Sequence, residues 1–150
     1  MALLLTACAL GLDVTVLHVD HGLRPESSAD RDFVERAARD LGCAFHAHLA
    51  HDLAAKAERE GQGLEAAARA ERYSWFDHKV GPGGVLLTGH HADDQRETQL
   101  LHLIRGARPD AWRGMEAWNT ERGFAIGRPF LSLTREAVSY THLTLPTMFE

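Results

Sequence analysis

The sequence predicts an α/β fold with a parallel sheet and helices on both of its faces. Two observations lead to this prediction. Short apolar segments rich in β-branched residues alternate with longer segments of helical periodicity, and glycine-rich or polar turns separate them. The resulting order is α, β, α, β, α, β, α, which is typical of parallel strands joined by right-handed crossovers. A chain of 150 residues corresponds to about one such domain.

The predicted strands are short and apolar, as expected for a buried parallel sheet. They comprise residues 14–19, 44–49 and 85–89. The predicted helices carry apolar residues at helical spacing and end near glycine. They comprise residues 2–10, 29–41, 64–79 and 94–105, with part of 50–63 also helical. A loop-rich stretch at 106–123 precedes a candidate edge strand at 124–126, and a last helix begins at 133–138.

The apolar positions of two helices indicate which face each turns toward the core. In the helix at 29–41 they are Phe33, Val34, Ala37 and Leu41. In the helix at 64–79 they are Leu64, Ala67, Ala68, Tyr73 and Phe76. We therefore expect these side chains to be covered by the sheet.

Composition and charge argue against several classes of protein. The net charge of −5 does not provide the basic surface that broad nucleic-acid binding needs. No apolar run approaches the ~20 residues of a membrane span, and the basic leader of a signal peptide is missing. Cys8 and Cys43 form no CxxC pair and no obvious disulfide framework. We therefore expect a cytoplasmic protein with reduced thiols and no membrane partner.

Most of the candidate chemistry lies in TGHHADDQRETQLL at 88–101, where a strand ends and a helix begins. Ligands bind at this edge in open α/β sheets. In a helix, Asp94 and Glu97 share one face, and His90 shares it only if the helix begins early enough. Carboxylates at the first turn interact favourably with the helix dipole and can hold a divalent cation that faces a phosphate.

Residue types alone leave other interpretations of this segment open. Asp93 or Asp94 is also a suitable N-cap, and Glu97 follows Asp94 by three residues, as in a capping box. The two histidines would then be solvated loop residues. A mononuclear zinc site is a third interpretation, although HHADD lacks the HExxH spacing of zinc hydrolases.

Several motifs, taken together, resemble one known family. They are HVDHGLRPES at 18–27, EAAARAERY at 65–73, TGHHADDQRETQLL at 88–101, RG at 105–106 and GRPFL at 127–131. In this order and spacing they resemble the tRNA(Ile)-lysidine synthases of the N-type ATP pyrophosphatase (PP-loop) superfamily. The resemblance implies a Rossmann-like, adenine nucleotide alpha hydrolase-like fold over residues 1–138. Residues 139–150 lie outside it, and their threonine and proline content predicts a loose, unassigned tail.

Two family features are missing from this sequence. One is the SGGxDS-type loop that cradles pyrophosphate after the first strand. We expect this loop and the first strand to lie before Met1. The other is the C-terminal tRNA-binding region of longer members. We therefore expect residues 1–138 to be part of a longer enzyme, and this chain alone to be inactive and to bind ATP with a dissociation constant above about 10 µM.

The resemblance implies an ATP- and Mg²⁺-dependent ligation of L-lysine to the wobble cytidine of tRNA(Ile). ATP first adenylates the C2 oxygen of the cytosine, the lysine ε-amine then attacks C2, and AMP leaves. The implied partners are tRNA(Ile) and L-lysine, with a homodimer as a candidate assembly. Rival functions are a tRNA thiolation enzyme of the same superfamily, whose members commonly use paired cysteines, and a non-catalytic Rossmann-like fragment.

The resemblance also implies catalytic roles for four residues. Asp94 matches the position that holds magnesium, and Glu97 is a candidate for the same metal or for orienting the lysine amine. His90 matches a position near the nucleotide or the base. Arg69 is expected to contact an ATP phosphate or the target base, and Arg72 is a weaker candidate for that role.

Asp20 and His21 end a strand beside the expected adenine pocket, so they are candidate nucleotide-binding residues together with Arg69, Arg72 and His90. Structural roles are the alternative for each. The arginines are then solvated partners of Glu65 or Glu71, and residues 20–22 only form a turn. Tyr73, Trp75 and Phe76 suit the core or an interface better than a base-stacking platform. A polar strand edge is favoured over a metal site for His46, His48 and His51, and Arg128 is expected only to close the domain. We expect Asp20, His21, Arg69 and Asp94 to converge on one cleft.

Overall fold

A computed structural model describes residues 1–22 and 27–144, and the chain divides into two compact units. The N-terminal unit is Ala7–Lys79, and the C-terminal unit combines Met1–Thr6 with Val80–Glu150. The helices are α1 Ala2–Ala9, α2 Ser27–Asp40, α3 Leu53–Arg59, α4 Leu64–Val80, α5 Ala92–Ile104 and α6 Arg135–Thr144. The strands are β1 Thr15–Asp20, β2 Ala44–Leu49, β3 Val85–Leu87, β4 Trp118–Asn119 and β5 Ala125–Gly127. A short 3₁₀ helix covers Pro109–Arg113.

The sheet of the N-terminal unit is a parallel pair. Strands β1 and β2 run in register from Thr15 opposite Ala44 to Asp20 opposite Leu49, and α2 connects them. The βαβ unit predicted by the alternation is thereby confirmed. Because the strands are parallel, their carboxyl ends lie at the same edge, and Asp20 is the last residue of β1.

The predicted core face of α4 is confirmed, except at its first residue. Four side chains of the predicted set are buried, and Leu64 is 41% exposed. The buried side chains are Ala67, Ala68, Tyr73 and Phe76.

The predicted core face of α2 is confirmed only at Val34 and Ala37, which are half-buried, and is wrong at Phe33 and Leu41. Phe33 is 56% exposed, and the side chain that is completely buried is Ala38. Helix α2 packs on both strands of the parallel pair. The side of α2 that is covered therefore contains Val34, Ala37 and Ala38.

The C-terminal unit contains a mixed sheet in the order β3-β5-β4. Strands β3 and β5 are parallel, whereas β4 pairs antiparallel with β5, with Trp118 opposite Gly127. The prediction that 124–126 forms an edge strand is wrong, because β4 occupies its other side. Among the described residues no ladder joins this sheet to the β1-β2 pair. The α/β class with parallel strands is nevertheless confirmed.

Two other expectations are modified. Helix α6 continues to Thr144, six residues into the stretch expected to be a loose tail, and 145–150 lies outside the described residues. Cys8 and Cys43 are both free, but their sulfur atoms lie only 3.4 Å apart. Burial, followed by the neighbouring thiol, raises the pKa of Cys8. None of the helices in the described ranges is long and apolar enough to cross a membrane.

Polar side chains of α5 hold the segment that follows it. The Gln95 side chain donates to the Met115 carbonyl at 2.8 Å and accepts from the Met115 amide at 2.7 Å. One and two turns further along, Gln99 donates to the Arg113 carbonyl and His102 contacts the Ala111 carbonyl. This face of α5 therefore binds backbone groups, which leaves the apolar residues near its C-terminal end exposed. They are Leu100, Leu101, Leu103 and Ile104.

Gly114 is required in this contact for two reasons. Its φ of +74° lies in the region that favours glycine, and an added Cβ would lie 2.5 Å from Oε1 of Gln95. We predict that Gly114→Ala lowers the free energy of unfolding by about 2–4 kcal/mol, because backbone strain and steric overlap add. Denaturant unfolding measures the loss.

Gly123→Ala is the matched control, since Gly123 has φ +76° but nothing within 4 Å of its added Cβ. It should lose about 1–2 kcal/mol. Equal losses for the two variants would show that the contact with Gln95 does not constrain position 114.

Candidate functional site

The carboxyl end of β1 forms a tight polar turn. Asp20 is buried, and its Oδ1 accepts a hydrogen bond from the Gly22 amide at 2.8 Å. That backbone hydrogen bond is the main reason why the pKa of Asp20 is lowered. The turn interpretation of residues 20–22 is thus correct as geometry, and it fixes a charged carboxylate at the edge of the sheet.

His21 contacts Arg72 of α4, with 3.1 Å between Nε2 and Nη2. An arginine only donates, so Nε2 of His21 must accept and the ring proton lies on Nδ1. Burial, followed by the charge of Arg72, lowers the pKa of His21, which favours the same neutral form. Within the described residues, the buried Nδ1 has no hydrogen-bond partner.

Arg69 lies one turn before Tyr73 on α4 and is exposed. Its guanidinium carbon is 4.9 Å from the centre of the Tyr73 ring, a cation–π contact. Neither Arg69 nor Arg72 takes part in the ion pairs of the described residues, so the alternative in which they pair with Glu65 or Glu71 is wrong. Tyr73 itself is buried edge-on against Phe76, which confirms the core interpretation for these two residues, whereas Trp75 is only half-buried.

Glu71 is occupied by a cluster that sequence reasoning missed. One carboxylate oxygen lies 2.9 Å from Nε2 of His48, and the other lies 2.8 Å from Nζ of Lys56. The His48 ring also stacks on Trp75, with 5.3 Å between ring centres. The cluster joins β2, α3 and α4. The hydrogen bond from Lys56, followed by the one from His48, lowers the pKa of Glu71. The hydrogen bond between Lys56 and Glu71 also raises the pKa of Lys56.

These shifts give Glu71→Gln a defined pH dependence. The lowered pKa of Glu71 means that its stabilisation is present above the unfolded pKa and is lost as pH falls through the folded pKa. The raised pKa of Lys56 means that its contribution is lost as pH rises through that value. The variant should therefore be least stable, relative to the parent, between roughly pH 5 and 10. The difference in stability between the variant and the parent should become smaller below and above this pH range.

Thermal unfolding across this pH range measures the effect. Glu65→Gln is the control, because Glu65 is an exposed carboxylate of the same helix. Its difference from the parent should change little with pH. A Glu71→Gln difference that is equally flat would contradict the ion-pair account.

Helix α5 begins with a reciprocal cap. His91 is the N-cap, its Nδ1 accepts from the Asp94 amide at 3.4 Å, and Oδ2 of Asp94 accepts from the His91 amide at 2.8 Å. The capping box expected from Asp94 and Glu97 is therefore replaced by one that begins three residues earlier. The helix consequently starts at Ala92 and not at about 94.

The cap uses only one oxygen of Asp94. Oδ2 makes the bond to His91, and Oδ1 has no hydrogen-bond partner in the described part of the chain. The side chain is 37% exposed. Glu97 lies three residues later, on the same face, and is exposed. The start of α5 thus presents two carboxylates to solvent.

His90 and Asp93 have other surroundings. His90 precedes the N-cap, so it does not share the helical face of Asp94, and its Nδ1 lies 2.9 Å from Oγ1 of Thr88. Asp93 accepts from the Arg135 amide at 2.9 Å and from Arg96 at 2.9 Å. The Arg135 amide is the main reason why the pKa of Asp93 is lowered. Asp93 therefore connects the start of α5 with the start of α6.

The profile of the PP-loop domain family matches residues 1–144. The chain belongs to the PP-loop domain family. Its curated relatives include tRNA(Ile)-lysidine synthases, which confirms the resemblance seen in the motifs. The protein of Thermus thermophilus is 41% identical over 140 residues, which are 91% of this chain and 26% of that protein. The protein of Alkalilimnicola ehrlichii is 38% identical over 133 residues, 87% of this chain and 28% of that protein.

A third relative, the tRNA(Ile)-lysidine synthase of Zymomonas mobilis, is 34% identical over 151 aligned positions. They cover 93% of this chain and 43% of that protein. The PP-loop chain thus spans less than half of the length of each of these relatives.

The predicted site residues of this PP-loop chain fall into one group in each unit. In the N-terminal unit, Asp20 and His21 are neighbours, His21 contacts Arg72, and Arg69 lies one turn from Arg72. In the C-terminal unit, Asp94 and Glu97 share one face at the start of α5, and His90 directly precedes the N-cap without sharing that face. The sequence showed the crowding of polar residues at 90–97, but it did not predict that Asp93 binds the Arg135 amide or that Gln95 binds the backbone of Met115.

The donor set at the start of α5 fits magnesium better than zinc. Over residues 1–22 and 27–144, no three His, Cys, Asp or Glu side chains are grouped to hold a metal, whereas a zinc site needs three or four such ligands. Magnesium is usually bound by one or two carboxylates, with water and substrate phosphates completing its shell. Asp94 and Glu97 offer carboxylates of this kind.

Proposed function

We propose that this PP-loop chain is the ATP-using part of an enzyme that ligates L-lysine to the wobble cytidine of tRNA(Ile). The observation that carries the proposal is its identity of 34–41% with three tRNA(Ile)-lysidine synthases over 87–93% of the chain. The carboxylates of Asp94 and Glu97 at the start of α5 and the polar turn at the end of β1 are compatible with it, because nucleotide sites of α/β proteins lie at strand ends.

The proposed reaction has two steps. The C2 oxygen of the cytosine attacks the α-phosphorus of ATP, and pyrophosphate leaves. The ε-amine of lysine then attacks C2, loses a proton, and displaces AMP through cleavage of the C2–O bond. The first step concentrates negative charge on phosphate oxygens, and positive groups that face those oxygens stabilise it.

Asp94 and Glu97 are the proposed magnesium ligands. Bound magnesium neutralises charge on the phosphates of ATP. Oδ1 of Asp94 is suited to this role because the cap occupies only Oδ2. The cap also limits movement of the Asp94 side chain, so the free oxygen is held in place before a ligand arrives. Glu97 adds negative charge one turn along the same face, where it can also orient the lysine amine.

In the N-terminal unit, Arg69 and Arg72 are the proposed phosphate contacts. Arg69 is exposed, and within the described ranges its guanidinium contacts the uncharged Tyr73 ring and forms no ion pair, so its donors remain available to a ligand. Arg72 is positioned by neutral His21, which accepts one of its N–H groups without neutralising its charge. Asp20 fixes the turn that brings the backbone at residues 20–22 toward the adenine. His90 is the proposed contact to the nucleotide or base.

A thiolation enzyme of the same superfamily is the second candidate. The 3.4 Å approach of Cys8 and Cys43 favours it, since sulfur transfer commonly uses paired cysteines. However, a reactive cysteine needs a lowered pKa to form the thiolate, and the pKa of Cys8 is raised. The lysine-ligating function therefore remains the preferred one.

A chimera tests the proposal. The matched segment of the Thermus thermophilus relative is replaced by this chain, and lysine incorporation into a tRNA(Ile) transcript is measured with ATP and Mg²⁺. We expect lysine-dependent modification. In the chimera, Asp94→Asn should lower the rate by about 10²-fold or more, because the metal loses a charged ligand. Cap geometry should survive, since an asparagine oxygen can still accept from the His91 amide.

Asp110→Asn is the matched control, because Asp110 is an exposed carboxylate outside the α5 start. It should leave the rate unchanged. Cys8→Ser and Cys43→Ser should also leave lysine incorporation unchanged, which separates ligation from thiolation. A chimera that is folded but incorporates sulfur, or incorporates neither lysine nor sulfur, would overturn the proposed function.

A further inference from the structure

The two cysteines of the chain lie side by side in the fold. The sulfur atoms of Cys8 and Cys43 are 3.4 Å apart, although 35 residues separate the two along the sequence. Cys8 belongs to the last turn of α1, and Cys43 directly precedes β2. Both side chains are partly exposed, and both residues belong to the N-terminal unit, so the contact lies within one compact unit.

The end of α1 fixes the backbone at Cys8. The Gly11 amide donates to the Cys8 carbonyl at 2.9 Å, and the Leu12 amide donates to the Ala7 carbonyl at 3.2 Å. These two bonds form the Schellman motif, in which a glycine ends a helix and the last carbonyls are satisfied by the residues that follow. The position of Cys8 is therefore set by a helix and by the bonds that end it.

The end of α2 fixes the backbone at Cys43 by the same motif. The Gly42 amide donates to the Arg39 carbonyl at 3.0 Å, and the Cys43 amide donates to the Ala38 carbonyl at 2.8 Å. The next residue begins β2, which pairs with β1. Both cysteines are thus held by regular backbone structure, so their side chains remain neighbours while the unit is folded.

The separation of the two sulfur atoms favours a covalent bond. A disulfide has an S–S distance of about 2.05 Å, so the sulfur atoms have to approach by about 1.4 Å. Rotation of the cysteine side chains supplies a movement of this size. A zinc site needs three or four ligands, and over residues 1–22 and 27–144 no third His, Cys, Asp or Glu side chain is grouped with this pair.

We propose that Cys8 and Cys43 form a reversible disulfide by exchange with a low-molecular-weight disulfide such as oxidised glutathione. The thiolate of one cysteine attacks a sulfur atom of oxidised glutathione, and one glutathione thiolate leaves. The other cysteine loses its proton and attacks the cysteine sulfur of this mixed disulfide, which releases the second glutathione. The two glutathione thiolates take up the two protons that the cysteines lost.

The position of this bond determines its effect. It joins the chain before β1 to the chain before β2, so it closes a loop that contains β1 and α2. A cross-link of this kind restricts the unfolded chain and thereby stabilises the folded unit. Asp20 lies at the opposite, carboxyl end of β1, so the bond does not occupy the polar turn at 20–22.

The equilibrium constant for exchange with glutathione tests the proposal on the 150-residue chain. It should be at least about tenfold larger in the folded chain than in guanidinium chloride, because the fold has already brought the thiols together. Correspondingly, the Tm of the oxidised chain should be about 3–6 °C above that of the reduced chain. Each sample is brought to equilibrium, since burial, followed by the contact with Cys43, raises the pKa of Cys8 and slows the attack.

Mass spectrometry identifies the product. The intact mass should fall by about 2 Da, the mass of the two hydrogen atoms that the thiols lose. Trypsin cleaves the chain at arginines between the two cysteines, such as Arg31 and Arg39, so the bond should link two separate peptides.

A shifted cysteine is the matched control. Cys8→Ala combined with Ala9→Cys keeps two cysteines at nearly the same separation along the chain, but turns one thiol by about 100° around α1. Ala9 is exposed, so the change should not disturb folding. The equilibrium constant in guanidinium chloride should match that of the parent, and the constant in the folded variant should fall to about the same value.

Three outcomes overturn the inference. One is an equilibrium constant in the folded parent that does not exceed the constant in guanidinium chloride. Another is a shifted variant that forms the bond as readily as the parent. The third is an oxidised chain that contains the bond but has a lower Tm than the reduced chain. None of these measurements depends on whether the enzyme ligates lysine.

Discussion

Two reciprocal hydrogen bonds between His91 and Asp94 set the start of helix α5, and much of the C-terminal unit depends on that start. Because the helix begins at Ala92, Asp93 faces the first amide of α6, and Gln95 faces the segment before β4. The polar residues of HHADDQ thus combine structural contacts with a free carboxylate oxygen. A change of one residue in the helix start would move all of these groups by about 100° around the axis.

The two units use charge differently. In the N-terminal unit, Glu71 is satisfied by Lys56 and His48, and Arg69 and Arg72 of α4 form no ion pair with any described residue. In the C-terminal unit, Asp94 keeps one oxygen free, and Arg128 is buried without a carboxylate partner in the part of the chain that the structure describes. A chain with a net charge of −5 thus contains both cationic and anionic groups whose charges are not neutralised locally. Such groups are expected where charged substrates bind.

Local pattern predicted the elements and the family, but not the pairing between distant segments. Helix α4 and strand β2 were predictable because periodicity and alternation are properties of neighbouring residues. The central position of β5 was not, since β4 has only two residues and no strand pattern. The contact of Cys8 with Cys43 and that of Asp93 with Arg135 span 35 and 42 residues, and nothing in the local sequence encodes them.

The central claim is that Asp94 stabilises the helix with one oxygen and binds a divalent cation with the other. The most direct measurement is Mn²⁺-induced broadening of backbone amide resonances in this chain, recorded with millimolar ATP. The account predicts ATP-dependent broadening centred on residues 92–97 that disappears in Asp94→Asn, while the amide shifts of α5 show that the cap remains. Broadening centred elsewhere, or unchanged by Asp94→Asn, would contradict it.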